Sequence, residues 1–332
     1  MKRILIVSLL ISIFLIGCSI PGRRGPEEAP SELAHKGTQG IEFTFLPDYP
    51  PSVIYTPGSG DTGNSIVLEV KNKGAFTTGA IFYLSGYDNI DVAACNKAGI
   101  IVVNVPSYCE EEVSDTAVAM SYALSRKLLF YNSNLKAGKW DWKPGVPIHR
   151  FNTLKVGLIG FGGIAKATTR KFKSLGLEVF VTDPYIPDEI FLKNGVKKVR
   201  LDTLLRECDI ISVHVPLTES TRHLIGEKEF GMMKETAIII NTSRGPVIDE
   251  KALIDALQNG KIGGAGLDVF EKEPLSPDSP LLQMNNVIVT PHCGWYSEES
   301  KIDIRVKLAK DIARVLNGKE PFGFVNKKHI VR

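Results

Sequence analysis

The residues of this chain best placed to do chemistry are a group of glycines and an acid that follows them. Gly160, Gly162 and Gly163 lie in the string GFGGIA, and Asp183 comes after the next apolar run. Gly160 permits a tight turn, and Gly162 has no side chain to keep a pyrophosphate away from the backbone. Asp183 can accept hydrogen bonds from both hydroxyls of an adenine ribose and would repel a 2′-phosphate. The pattern predicts a dinucleotide site that prefers NAD to NADP.

Two strands and a helix must position these groups. Residues 154–159 form an apolar run that predicts a buried parallel strand, and residues 177–181 predict a second one. Between them lies a helical pattern that ends at Gly176, with Ala165 small enough for the helix to pack on the strand. The N-terminus of that helix offers free N–H groups and a positive dipole end to phosphates. This order of elements indicates the dinucleotide-binding βαβ unit, and the less specific interpretation is a glycine turn in another α/β protein.

Strands and helices alternate through the rest of the chain. Further strands are predicted at residues 209–213, 237–240, 266–270 and 287–290, and helices at 111–131, 249–258 and 297–316, with a loop at 132–152. The alternation predicts an α/β fold with a doubly wound parallel sheet. Polar residues follow the carboxyl ends of the strands, which is where such sheets bind ligands.

Composition excludes several other classes of protein. Of the 332 residues, 43% are hydrophobic and 23% are charged, which is typical of a globular chain long enough for two domains. The formal charge is only +3 and the sequence has no long basic run with interleaved aromatic residues, so nucleic-acid binding is not expected. The 5 cysteines lack the paired spacing of a disulfide framework or a zinc site, so no metal is expected.

Five strings, in order along the chain, carry a family resemblance: GFGGIA, HVPLT, NTSRGPVID, GLDVFEKEP and VIVTPH. They resemble the D-isomer-specific 2-hydroxyacid dehydrogenases, and PHCGWYSEES and VNKKHI resemble the C-terminal-binding-protein branch of that family. The resemblance implies a Rossmann NAD-binding domain at 111–298 and a smaller, discontinuous, flavodoxin-like substrate domain at 41–110 plus 299–332. It also implies a homodimer that interconverts a 2-keto acid and a D-2-hydroxy acid by hydride transfer with NAD.

The resemblance assigns three catalytic roles. Arg244 matches the arginine that orients the substrate, a task that suits a planar and permanently charged guanidinium. His292 matches the acid–base that gives its proton to the keto oxygen. Glu273 matches the acid that pairs with this histidine and favours its imidazolium form. Glu271 is the nearby rival for that role and matches a non-catalytic position.

Further positions match the family's ligand-binding residues. The resemblance implies residues that contact the pyrophosphate, the adenine ribose, the rest of the dinucleotide and the nicotinamide carboxamide. They are Gly160, Gly162, Gly163, Ile164, Asp183, His214, Pro216, Thr242, Asp268 and His292. It implies substrate contacts at Ser85, Gly86, Tyr108, Arg244 and Trp295. In this scheme Trp295 forms an aromatic wall of the substrate pocket.

One departure from the family pattern bears on function. The family usually carries Arg-x-Gly-small-Gly before an Asp-Asn pair, whereas this chain has Phe82 for the arginine and Leu84 for the first glycine. The departure favours an alternative function, an NAD(H)-binding interaction or regulatory protein with little turnover, which the branch resemblance allows. Retention of Arg244, Glu273 and His292 favours the enzyme.

The N-terminus predicts a signal segment. Lys2 and Arg3 precede an apolar run at 4–16, and a small residue and Cys18 follow it, which resembles the cleavage box of bacterial lipoproteins. The resemblance implies that residues 1–18 are a signal segment and that Cys18 is lipidated.

The residues that follow support a tether. Residues 19–40 are rich in proline, glycine and charge, as a flexible linker is. The alternative is that residues 3–10 form the first strand of an α/β domain. We expect a membrane-anchored lipoprotein of the cell envelope, with the cytoplasm as the alternative because NAD(H) is kept there. A solute-binding lipoprotein fits this N-terminus but not the dehydrogenase strings.

Overall fold

The computed structural model describes residues 90–98 and 101–329, together with the backbone of five short strands before them. The chain divides into two compact units, Met1–Pro106 with Asp303–Arg332, and Ser107–Ile302. Apart from short strands at 7–9 and 35–36, the predicted signal segment and linker lie outside the described residues, and so do Cys18, Ser85 and Gly86.

The first unit contains an antiparallel sheet and a parallel pair of strands. The antiparallel strands are β1 (Val7–Leu9), β2 (His35–Lys36), β3 (Ile41–Phe45) and β4 (Ile66–Asn72), in the order β1-β4-β3-β2. The parallel strands are β5 (Ile81–Leu84) and β6 (Ile101–Asn104), with helix α1 (Val92–Ala98) between them in sequence. Among the strands that the structure describes in this unit, β5 and β6 have the parallel arrangement of a flavodoxin-like sheet. Parallel neighbours need a crossover, usually a helix, and the sequence between β3 and β4 is rich in residues that disfavour helix.

The second unit is built on a seven-stranded parallel sheet. Its strands are β7 (Lys155–Ile159), β8 (Glu178–Thr182), β9 (Lys197–Lys198), β10 (Ile210–Val213), β11 (Ile238–Asn241), β12 (Gly264–Leu267) and β13 (Val287–Val289). Their order is β13-β12-β11-β10-β7-β8-β9. Strands β8 and β9 lie on one side of β7 and strands β10 to β13 on the other, so the strand order reverses between β7 and β10. This confirms the doubly wound sheet predicted from the sequence, and its ligand crevice is expected at that reversal.

The α-helices that follow α1 are α2 (Glu110–Ser125), α3 (Leu128–Lys136), α4 (Gly163–Ser174), α5 (Asp188–Asn194), α6 (Leu201–Glu207), α7 (Glu227–Phe230), α8 (Glu250–Gln258) and α9 (Glu298–Leu316). Helices α2, α4 and α6 pack against strands of the parallel sheet. Strand β11 shows why both faces must be covered. Ile239 packs into one hydrophobic core, while Ile238 and Ile240 pack into the other. Each buried isoleucine contributes roughly 1.5–3 kcal/mol of hydrophobic free energy.

Two sequence predictions were wrong in detail. The long helix predicted at 111–131 is broken, because Lys127 adopts a left-handed conformation (φ 52°) between α2 and α3. Helix α3 therefore extends into the loop predicted at 132–152. The strand predicted at 266–270 instead runs from Gly264 to Leu267. A Cβ at Gly264 would lie 2.5 Å from Asn286 O, so the glycine marks close strand packing here and not a turn.

None of the helices in the described part of the chain combines the length and apolar character that a membrane crossing requires. Within the same residues, His, Cys, Asp and Glu side chains form no group of three or more placed to hold a metal ion.

Candidate active site

Most of the predicted site residues follow the carboxyl ends of strands in the parallel sheet. The residues that directly follow β7, β8, β10, β11 and β12 are Gly160, Asp183, His214, Thr242 and Asp268, and His292 comes shortly after β13. Because these strands are parallel, their carboxyl ends lie along one edge of the sheet. The fold therefore gathers the predicted cofactor residues at the edge where a dinucleotide is expected.

The glycine loop has the geometry that phosphate binding needs. Gly160 has φ 93°, and a Cβ at that position would lie 2.5 Å from His214 O on the neighbouring strand end. No side chain would fit there. Gly162 is the N-cap of α4, and a Cβ added to it would meet no described atom within 4 Å. Gly163 opens the helix, and the half-buried Ile164 follows it. The loop thus presents backbone N–H groups with open space above Gly162.

The Asp183 carboxylate is fixed by the loop that it follows. Its Oδ2 accepts a hydrogen bond from Phe161 N (2.9 Å), and its Oδ1 accepts one from Tyr185 N (2.9 Å). Each carboxylate oxygen can accept a further hydrogen bond. The carboxylate is therefore held rigidly and retains the capacity to bind ribose hydroxyls.

Two further strand-end residues line the same edge. His214 N donates to Ile159 O (2.8 Å), and its Nε2 lies 2.9 Å from Ser212 Oγ. Burial lowers the pKa of His214 to about 4, so the ring is neutral near pH 7. The buried Thr242 hydroxyl has no hydrogen-bond partner among the described residues, which fits a ligand that supplies one. Pro216 is exposed beyond His214.

His292 and Glu273 form a hydrogen-bonded pair. His292 Nδ1 lies 2.7 Å from Glu273 Oε2, and Nε2 makes no hydrogen bond within the described chain. Burial raises the pKa of Glu273, but the hydrogen bond and charge of His292, the Phe270 N–H and the charge of Arg244 outweigh burial, so the pKa lies below its usual value. The pair is therefore a carboxylate that orients an imidazole and leaves Nε2 for proton transfer.

Glu271 has a different partner. Its Oε1 lies 2.7 Å from His223 Nε2, and Glu271 N donates to Glu250 Oε2 (3.0 Å). The rival carboxylate is thus bound to another histidine, and Glu273 is the one that reaches His292.

Arg244 lies in the loop after β11. Its carbonyl accepts from Asn241 Nδ2 (2.9 Å), and its Nη1 donates to Ser243 O (2.8 Å). The next residue must be glycine, because a Cβ at Gly245 would lie 1.9 Å from Phe270 C and O. This close approach brings the Arg244 loop against the segment that carries Glu273, and the Arg244 charge contributes to the lowered pKa of Glu273.

Asp268 has a role that sequence reasoning missed. Its carboxylate is buried and accepts from Thr290 Oγ1 (2.6 Å), Cys293 N (2.9 Å) and Gly294 N (2.8 Å). Its carbonyl accepts from His292 N (2.8 Å). One residue therefore holds the loop that carries His292, which has φ 51°. No local pattern reveals these bonds, because the acid and the loop are far apart in sequence.

Tyr108 and Trp295 lie together beside His292. Their ring centroids are 6.4 Å apart, and Trp295 Nε1 donates to His292 O (3.1 Å). Cys109 lies between Tyr108 and the start of α2, and burial raises its pKa to about 11. A hydrogen bond to Tyr108 and the charge of Arg244 partly oppose this rise in the pKa. The structure thus brings Tyr108, Trp295, Arg244 and His292 into one unit.

The chain is similar to known proteins in sequence and in structure. A family model described as D-isomer specific 2-hydroxyacid dehydrogenase, NAD binding domain, matches residues 118–294. The chain is 40% identical over 249 residues to a glyoxylate reductase of Korarchaeum cryptofilum, covering 74% of this chain and 75% of that protein. It is 35% identical over 315 residues to glyoxylate/hydroxypyruvate reductase B of Salmonella schwarzengrund, covering 90% and 95%. A crystal structure of D-lactate dehydrogenase from Aquifex aeolicus, complexed with NAD and lactic acid, is similar with a TM-score of 0.67 and 32% identity, covering 72% of this chain and 77% of that chain.

Proposed function

The chain belongs to the D-isomer-specific 2-hydroxyacid dehydrogenase family, and from that membership we propose that it interconverts a 2-keto acid and a D-2-hydroxy acid with NAD as cofactor. The observation that carries the proposal is the His292–Glu273 pair beside the Arg244 loop, in the same unit as the glycine loop and Asp183. His292 supplies a proton donor, Arg244 supplies a cation that binds the substrate carboxylate, and the glycine loop with Asp183 supplies a site for the nucleotide.

The residues that would hold the cofactor fit it. The open backbone at Gly162, the fixed Asp183 carboxylate and the Thr242 hydroxyl, which has no partner among the described residues, offer groups for a pyrophosphate, a ribose and a further polar contact. NADH, when bound, supplies the hydride that reduces the keto carbon. Asp183 is expected to exclude a 2′-phosphate by charge repulsion.

The chain's own residues supply the proton and the orientation. His292 Nε2 gives its proton to the keto oxygen as the carbon is reduced, and takes it back in the reverse direction. Glu273 holds the ring through Nδ1 and stabilises the protonated form. Arg244 binds the substrate carboxylate through its planar fork, which fixes the face of the keto group that is reduced. Tyr108 and Trp295 form an aromatic wall of the pocket.

A small keto acid is the proposed substrate. Similar proteins carry the names glyoxylate reductase and glyoxylate/hydroxypyruvate reductase. We would follow NADH oxidation by purified protein with glyoxylate, hydroxypyruvate and pyruvate, using His292→Ala as the inactive control. Turnover that is lost in this variant supports the proposal. No turnover with any 2-keto acid would contradict it.

A second candidate is an NAD(H)-binding interaction or regulatory protein, which Phe82 favours because it stands where the family usually carries an arginine. In this case the protein would bind NADH tightly without reducing keto acids. The same experiment separates the two, since NADH binding without turnover supports this alternative. The C-terminal-binding-protein branch remains a proposal that rests on Trp295 and the strings around it.

We also propose a homodimer in which a second copy covers an exposed apolar surface around helix α3. The surface consists of apolar side chains that are all at least 50% exposed: Leu128, Leu129, Leu135, Trp140, Trp142 and Val146. Replacing Leu135 by Asp should shift sedimentation toward the monomer. Leu192→Asp is the matched control, because Leu192 is exposed on helix α5. A monomeric unmodified protein would contradict the proposal.

For the N-terminus we propose lipidation of Cys18 and tethering to the membrane of the cell envelope. The support is the order of basic residues, apolar run, small residue and cysteine. Membrane fractionation and mature mass would be compared between the unmodified protein and Cys18→Ala. Strand β1 (Val7–Leu9), which pairs with β4, favours the alternative in which residues 3–10 form a strand. If both proteins are soluble and keep residues 1–17, a cytoplasmic enzyme is the better account.

A further inference from the structure

The Glu110 side chain lies at the N-terminal end of helix α4. A Cβ built at Gly163 would lie 1.7 Å from Glu110 Oε1 and 2.6 Å from its carboxyl carbon. The carboxylate therefore fills the space that a side chain at position 163 would need. One residue earlier, at Gly162, a Cβ would meet no described atom within 4 Å. The phosphate loop is thus open at Gly162 and occupied by a carboxylate at Gly163.

Ion pairs between α2 and α4 hold Glu110 in this position. Lys171 on α4 lies 2.6 Å from Asp115 Oδ1 and 3.1 Å from Glu111 Oε2, and it donates to Ser114 Oγ (2.7 Å). Arg170 also pairs with Glu111. Since Glu110 is the first residue of α2, these contacts fix its backbone beside the start of α4. Helix packing therefore places the start of α2 beside the start of α4, where the Glu110 side chain reaches Gly163.

The negative charge of Glu110 lies at the N-terminus of α4, which attracts anions. The first turn of α4 contains no acidic residue, and Gly162 provides no side-chain cap. The free N–H groups and the positive dipole end attract an anion. Glu110 supplies a negative charge there from the neighbouring helix. A pyrophosphate that approached the same N–H groups would meet a like charge at contact distance, which opposes its binding.

We infer that Glu110 sets the affinity of this chain for its cofactor, because its carboxylate occupies the part of the phosphate site next to Gly163 and must turn aside before a pyrophosphate binds. The inference rests on the proposed NAD-dependent function, since it concerns the same loop. It lowers the affinity for every ligand that carries a pyrophosphate. It leaves a nucleoside unaffected, because a nucleoside places no charge against the carboxylate.

Isothermal titration of the full-length protein with NADH, ADP and adenosine tests the inference. Glu110→Gln keeps the size of the side chain and removes its charge, and should tighten NADH and ADP binding by about tenfold, the scale of one like-charge contact near a surface. Adenosine binding should stay unchanged. Glu110→Ala should tighten NADH and ADP in the same way. The matched control is Glu112→Gln, which removes the same charge from the same first turn of α2, at a residue whose carboxylate accepts a hydrogen bond from Ser297 Oγ (2.6 Å).

The outcomes separate the inference from the proposed function. NADH binding by the unmodified protein that does not change in Glu110→Gln overturns the inference alone. Equal tightening of adenosine, or equal tightening in Glu112→Gln, overturns it as well, because the effect is then not local to the pyrophosphate. Tightening in Glu110→Gln but not in Glu110→Ala would point to a new amide contact and also overturns it. Absence of NADH binding in every variant overturns the proposed function together with the inference.

Discussion

Replacing Glu273 with Gln should move the pH dependence of keto-acid reduction to lower pH. Gln keeps the shape of the side chain but removes the charge that lies 2.7 Å from His292 Nδ1. A hydrogen bond to a charged group is worth roughly 1.5–3 kcal/mol. At 1.36 kcal/mol per tenfold change in rate, this corresponds to a loss of about ten- to a hundredfold in kcat/KM on the alkaline side of the profile. Because the side chains of His292 and Glu273 are 42% and 33% exposed, solvent screens the pair, and we expect a loss of about tenfold there.

The assay is the pH profile of kcat/KM for glyoxylate, followed by the absorbance of NADH. Protonated His292 is required for reduction, so activity falls as pH rises, and the loss of the carboxylate should bring that fall to lower pH. Glu271→Gln is the matched control, because it makes the same chemical change beside His223, 2.7 Å away. A profile that does not move in Glu273→Gln, or that moves equally in both variants, would refute the reasoning.

Three further predictions concern single residues. His292→Ala should lower kcat for keto-acid reduction about a hundredfold or more, measured by the oxidation of NADH. Asp183→Ala should reduce the preference for NADH over NADPH, and tighter NADPH binding by the unmodified protein would contradict the role of Asp183. His214→Gln should reduce the loss of stability in acid, measured by denaturant unfolding at pH 6.5 and 4. The pKa of His214 is lowered by burial from 6.5 to about 4, so the unfolded chain binds a proton in that interval that the folded chain does not. The free energy of unfolding of the unmodified protein should therefore fall as pH falls, by at most about 3 kcal/mol from this residue.

Local patterns predicted the nucleotide-binding unit well. The strand β7, the helix α4 and the strand β8 lie where the apolar runs and glycines placed them, because each signal is contained within a few neighbouring residues. The break between α2 and α3 could not be predicted in this way. Lys127 has the left-handed conformation, although lysine favours continued helix.

The site was predictable where a residue's position follows from the sheet. Asp183, Thr242 and Asp268 come directly after parallel strands, so their common edge follows from topology alone. The side-chain contacts within the site could not be predicted from the topology of the sheet. The contact of Glu110 with Gly163 depends on how α2 packs against α4. The bonds of Asp268 depend on the path of a loop that begins after another strand, and sequence spacing does not encode that path.

The bonds of Asp268 have a consequence for how the loop at 290–294 opens. Cys293 has an exposed side chain, yet its amide hydrogen is bonded to a buried carboxylate at the end of β12, as is that of Gly294. These two amides can exchange with solvent only after the carboxylate releases them. They should therefore exchange at the slow rate of the central strands and not at the fast rate of a surface loop. In hydrogen-exchange terms, we therefore expect the loop that carries His292 to open together with the end of β12 and not independently of it.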